Sequence, residues 1–192
     1  MMRLTMIALA LIILTSCAQA DNETATELTN EAQSILRETG RRVYNAEAGN
    51  LLDQALEKDP DYLPARQERL NLLLLNQEPD AAVEEAEEIA RISDIPESRL
   101  FYCMLREHQD MNGPGRDACY VDVADRIATN NSKPYTDLNF VLALKLADSP
   151  DFRATAKKHI AQVDHEEVRA LVASLLFEKD REALIESYLP VH

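Results

Sequence analysis

Apolar residues recur along this chain at the three- and four-residue spacing of an amphipathic helix, and no stretch alternates convincingly as a strand would. Glu23 to Glu38 reads as one helix, ended by Gly40. Arg41 to Lys58 is the next, with Ala48, Leu51, Leu52, Ala55 and Leu56 on one face. Asp59-Pro60-Asp61 stops it, because proline disfavours a helical residue before it and brings no amide donor. Pro64 suits the first turn of a helix over Leu63 to Asn76. Leu72 to Leu75 makes that helix apolar all round, which predicts a central place for it, and it is too short to cross a bilayer.

Glu78-Pro79 breaks the pattern before a helix over Asp80 to Ile92, which Asp94-Ile95-Pro96 ends. Further helices are predicted over Glu97–Met111, Arg116–Thr129, Tyr135–Ala147, Phe152–Val163, Glu166–Phe177 and Arg181–Leu189. The breakers between them are Asn112-Gly113-Pro114-Gly115, Asn130-Asn131-Ser132-Lys133-Pro134 and Ser149-Pro150, and Asp164 is placed to cap the helix that follows it. Connections this short force neighbouring helices to run antiparallel, so the predicted class is all-α.

Composition narrows the chemistry. The 192 residues are 46% hydrophobic and 28% charged, enough for a packed core. Acids outnumber bases 34 to 20, and the net charge of -14 repels phosphate backbones, which argues against a nucleic-acid partner. Four glycines leave no phosphate-cradling loop or dinucleotide fingerprint, and no Gly-x-Ser-x-Gly turn occurs. His108, His159, His165 and His192 lack the spacing of a metalloprotease helix, and the cysteines lack the paired spacing of zinc or redox sites. No catalytic, cofactor or metal-ligating residue is therefore assigned, and the expectation is a protein that is not an enzyme. Glu78, Asp80, Glu84, Glu85, Glu87 and Glu88 carry no basic residue among them. Glu84, Glu87 and Glu88 share one helix face with Arg91, either as a solvated outer surface or as a docking surface for a basic partner.

The N-terminus carries an address. Met1-Met2-Arg3 precedes an apolar stretch from Leu4 to Leu14, the pattern of a secretory signal. Leu14-Thr15-Ser16-Cys17 follows directly and resembles the lipobox of bacterial lipoproteins. The resemblance implies cleavage between Ser16 and Cys17, a diacylglyceryl thioether on Cys17 and a further acyl group, such as palmitate, on the new amine. Several chains hold durably where one holds weakly, since each buried methylene contributes about 0.8 kcal/mol. The domain expectation is a signal peptide over 1–16, a lipidated tether over 17–22 and one helical-repeat domain over 23–192. Losing Arg3, the one charge in the signal, takes the net charge from -14 to -15. Ala18 after the cysteine implies outer-membrane sorting in enteric-type Gram-negative bacteria. The alternative is a plain signal cut near Ala18-Gln19-Ala20, with Cys17 discarded.

An internal repeat is visible further on. Ala48, Leu52, Ala55 and Pro60 are matched 34 residues later by Ala82, Ala86, Ile89 and Asp94. The run Ala48-x3-Leu52-x2-Ala55-Leu56-x3-Pro60 resembles the second helix and exit turn of a tetratricopeptide repeat. A third copy reads at Tyr120, Ala124, Ile127 and Ala128 after 38 residues. The resemblance covers Arg41 to Ile92, weakens to Pro134 and departs from the family at Arg66 and Arg69, where bulky apolar residues are usual. It implies a short α-solenoid of antiparallel helical hairpins; an irregular helical bundle is the alternative.

The export signal implies an oxidising compartment, and the hairpin reading places Cys103 and Cys119 on its two helices. A disulfide is then expected, with two separate buried thiols as the alternative. Lipoproteins with such arrays serve envelope assembly, so the resemblance implies a non-catalytic, lipid-anchored periplasmic adaptor whose partners are the membrane and another envelope protein. A second reading is an immunity lipoprotein that neutralises a secreted effector, and a third an enzyme acting on cell wall or lipid. Self-intoxication after gene deletion separates the second from the first, and turnover by the purified chain separates the third.

Overall fold

The computed structural model describes the backbone of residues 4–40, 45–111, 113 and 115–189, with side chains from residue 21 onward. Among the described residues there are ten α-helices, one 3-10 turn and no strand. The fold is an all-α stack in which consecutive helices pack within two compact units, Met1–Glu78 and Pro79–His192. The boundary falls inside the second expected repeat, between its two helices.

The first unit comprises α1 (Leu4–Thr39), α2 (Ala46–Lys58) and α3 (Leu63–Leu75). α1 is far longer than the expected Glu23–Glu38, because neither glycine nor proline interrupts the chain before Gly40. The segment read as a tether, 17–22, is thus helical, and Asn22 Nδ2 donates to Asp59 Oδ2 at 2.9 Å. The side chain of Cys17 lies outside the described residues, as do Arg41 to Tyr44, where the second helix was expected to begin. α2 begins later, at Asn45, whose side chain accepts from the amides of Glu47 and Ala48, both at 3.0 Å.

Buried alanines let the three axes approach: Ala25 and Ala32 of α1 meet Ala48, Leu52 and Ala55 of α2 and Ala65 of α3. Arg66 and Arg69 fit here without a core position. Arg66 Nε donates to the Pro60 carbonyl at 2.7 Å and Arg69 lies 3.6 Å from Asp53. Leu73 to Leu75 are only half-buried, so α3 is not enclosed on all sides as the all-apolar stretch suggested.

The second unit runs through α4 (Pro79–Ser93), α5 (Pro96–Gln109), α6 (Arg116–Asn130), α7 (Leu138–Leu146), α8 (Phe152–Ile160), α9 (Glu166–Phe177) and α10 (Arg181–Glu186). Met104, Tyr120, Val123, Leu142, Leu146 and Leu184 form its centre. α10 turns back to pack on α5, which closes the stack on itself. The expected helix from Tyr135 is instead a 3-10 turn, Pro134–Thr136, followed by α7, because Asp137 caps α7 by accepting from the Asn139 amide at 2.8 Å. Asp164 does not cap α9; His165 stands at that position without a side-chain bond. Ala128 of the third repeat copy is exposed, and Val123 fills the core beside Ala124 and Ile127.

Helix exits use few glycines. Gln77, Asp94 and Asp148 hold positive φ of 59°, 51° and 51°, where glycine is usual. At Asp148 and Gln77 the amides reach back to Lys145 and Leu74, and those of Ser149 and Glu78 to Leu144 and Leu73, the paired bonds that satisfy the last carbonyls of α7 and α3.

Candidate interaction surface

Cys103 on α5 and Cys119 on α6 are joined by a disulfide, with Cα atoms 5.8 Å apart. Asn112 and Pro114 of the connecting turn lie outside the described residues. Glu107 lies one turn after Cys103, and Tyr120 is the residue after Cys119, so both are carried inward with the sulfurs. Glu107 is 3% exposed. The Tyr120 hydroxyl donates to Glu107 Oε2 at 2.7 Å. Arg181, the first residue of α10, donates through Nε to Oε1 and through Nη2 to Oε2 at 3.0 Å. Its remaining donors reach Asp117 and Asp148, each at 3.2 Å, and its guanidinium lies over the Tyr120 ring at 5.5 Å.

The titration behaviour follows from this pairing. Burial, reinforced by the Glu107 hydrogen bond, pushes the Tyr120 phenol far above its ordinary value. Burial acts to lower the Arg181 value, and the Glu107 bond and charge outweigh it, so the net shift is upward. Asp117 is held below the carboxylate range, first by a 2.8 Å hydrogen bond from Arg116. The cluster joins α5, α6 and α10 through one carboxylate whose oxygens all have donors. Chemically it is a fixed internal tie. A cleft of about 320 Å³ opens beside it, lined by Gly113, Gly115, Arg116, Asp117 and Ala118, and the two charged side chains of that lining pair with each other while Asp117 also accepts from Arg181.

The sequence-singled acids are unequal. Glu84 and Glu87 are exposed, whereas Glu88 is half-buried and accepts from Arg91 at 2.8 Å. Glu85, in the same run, is buried. Asp80 is engaged by Gln109. The structure therefore leaves two of the three candidate residues, Glu84 and Glu87, open to solvent on α4.

A different helix presents the larger anomaly. α9 is rich in apolar residues, yet among its described side chains only Leu176 is buried. Leu171 is 71% exposed and Val168 47%. Leu175 is half-buried on the same side, at the i, i+3, i+7 spacing of a helical stripe. The far end of the helix is fixed. Lys145 Nζ donates to the carbonyls of Leu176 at 2.8 Å, Lys179 at 2.6 Å and Leu175 at 3.4 Å, and the Phe177 ring lies 5.8 Å from that of Phe152. Burial lowers the Lys145 value, the cost of placing that ammonium against the end of α9. The clamp holds the C-terminal turn, and residues 166–171 stand out from it.

Sequence reasoning missed both features. Glu107 and Arg181 lie 74 residues apart, and nothing local links them. The usable signal was that Glu107 follows Cys103 by four, so an inward disulfide carries an acid inward that must find a partner. Among the described residues, no three His, Cys, Asp or Glu side chains are gathered as a metal site, and no helix is long and apolar enough to cross a membrane. No family model, curated protein or solved structure matches the chain.

Proposed function

We propose that this chain is a non-catalytic adaptor of the bacterial envelope, anchored by lipid at Cys17, facing the periplasm and holding another protein through α9. The observation that carries the adaptor reading is Leu171, 71% exposed on a helix whose other end is clamped. Burying a leucine fully is worth about 1.5–3 kcal/mol, and a helix that serves only the fold would place it inward. An exposed apolar stripe with an acidic surround has the composition of a docking face. The lipobox and the disulfide support an exported setting, and the helical spacing resembling a tetratricopeptide repeat supports a binding role.

Chemical crosslinking of intact envelopes tests the reading with Leu171→Asp and Cys17→Ala. Leu171→Asp removes a specific crosslinked protein while the chain stays in the membrane fraction. Cys17→Ala releases the chain from that fraction. Identical crosslinked species with and without Leu171→Asp overturn the α9 interface, and an unchanged membrane fraction for Cys17→Ala overturns the anchor.

A further inference from the structure

Acids outnumber bases along residues 164–180, while the neighbouring α8 exposes Arg153, Lys157 and Lys158. Asp164, Glu166, Glu167, Glu178 and Asp180 are all exposed, against Arg169 and Lys179. Arg169 donates through Nε and Nη2 to the carbonyl of Val163 at 2.9 and 2.6 Å and through Nη2 to that of Asp164 at 3.4 Å, which holds its guanidinium at the N-terminal end of α9. Glu167 lies one turn before Leu171 and Glu178 two turns after it, eleven residues apart, about 16 Å along the axis. The Ser174 hydroxyl donates to Glu178 at 2.6 Å, which orients the second carboxylate.

We infer that α9 takes an amphipathic segment of another protein, with apolar anchors against Val168 and Leu171 and lysine or arginine on both sides to meet Glu167 and Glu178. This rests on the adaptor reading and adds the chemistry of the partner. A membrane surface is the poorer occupant, because helices that lie on bilayers surround their apolar face with cations. A second copy is also poorer, since it brings the same acidic rim and a like net charge of -14.

The test places p-benzoylphenylalanine at position 171 of the full chain in its own cells, followed by mass spectrometry of the segment it captures. Leu171 is exposed enough for the replacement to leave the fold intact, and circular dichroism checks that. The captured segment is expected to belong to another protein and to carry basic residues on both sides of its apolar positions. Glu167→Lys with Glu178→Lys lowers the yield about fivefold, and reversing the partner's basic residues restores it. Capture of a protein segment without basic flanks, or a yield indifferent to the charge reversal, overturns this inference and leaves the adaptor reading standing. Capture of lipid alone, of this chain itself, or of nothing overturns both.

Discussion

Arg181→Met tests the internal tie most directly. The Glu107 side chain is 2% exposed and that of Arg181 23%, so the substitution removes the cation and leaves a carboxylate in the interior with the Tyr120 hydroxyl as its remaining described donor. Removing one partner of a buried pair costs about 3–5 kcal/mol. The bonds to Asp117 and Asp148, 49% and 73% exposed, contribute about 0–1 kcal/mol each. Partial exposure of Arg181 lets water reach the vacated site, so the expected loss is near the lower bound, about 3 kcal/mol. For a unit of this size that corresponds to a fall in Tm of about 10–15 °C. Urea unfolding followed by circular dichroism measures it, and hydrogen exchange over residues 100–127 assigns the loss to the second unit. The triple variant Glu107→Met, Tyr120→Phe, Arg181→Met removes all three polar groups together and should return to within about 1 kcal/mol of the parent, because nothing buried is left unpaired. A loss below about 1 kcal/mol for Arg181→Met, or a triple variant as unstable as the single one, refutes the reasoning.

Reducing the Cys103–Cys119 bond, sequence separation 16, should cost about 3 kcal/mol by releasing loop entropy in the unfolded chain. Thermal melts with and without reductant check this: the midpoint falls while folded helicity holds, and coincident melts count against the bond. Tyr120 gives an alkaline signature, because its phenol keeps its proton in the fold while the unfolded phenol ionises near pH 10. Its contribution is whole below that pH and declines above it by about 1.4 kcal/mol per pH unit. Tyr120→Phe should flatten the stability profile above pH 10 by that slope; equal slopes in parent and variant contradict the assignment.

Helix positions were largely legible because prolines at 60, 64, 79, 96, 134 and 150 punctuate a chain otherwise built at helical spacing. Glu166–Phe177 coincides with the observed helix end to end, as its breakers are local. Errors arose where a tertiary or capping bond decides. Asp137 draws the start of α7 beyond Tyr135, and Asn45 sets the start of α2. The positive φ of Gln77 and Asp148 was hidden, since neither is the glycine that ordinarily signals such an exit. Of the candidate sites, Cys103 and Cys119 could be paired once an exported helical hairpin was supposed. The α9 stripe was invisible for the opposite reason: Val168 and Leu171 have the spacing of core residues, and only the packing shows that nothing in the described structure covers them.

The continuous helix from Leu4 to Thr39 would have a mechanical consequence for the lipid proposed at Cys17. Ala25, the first fully enclosed residue among the described side chains of α1, is eight positions further on, a rise of about 12 Å. A rod of this kind fixes azimuth as well as height. Inserting one alanine after Cys17 would rotate the first unit by about 100° about the helix axis, while seven would nearly restore its heading. Anchored in this way, the first unit would meet the bilayer with a set bearing, as a keyed shaft does, with little room to swing.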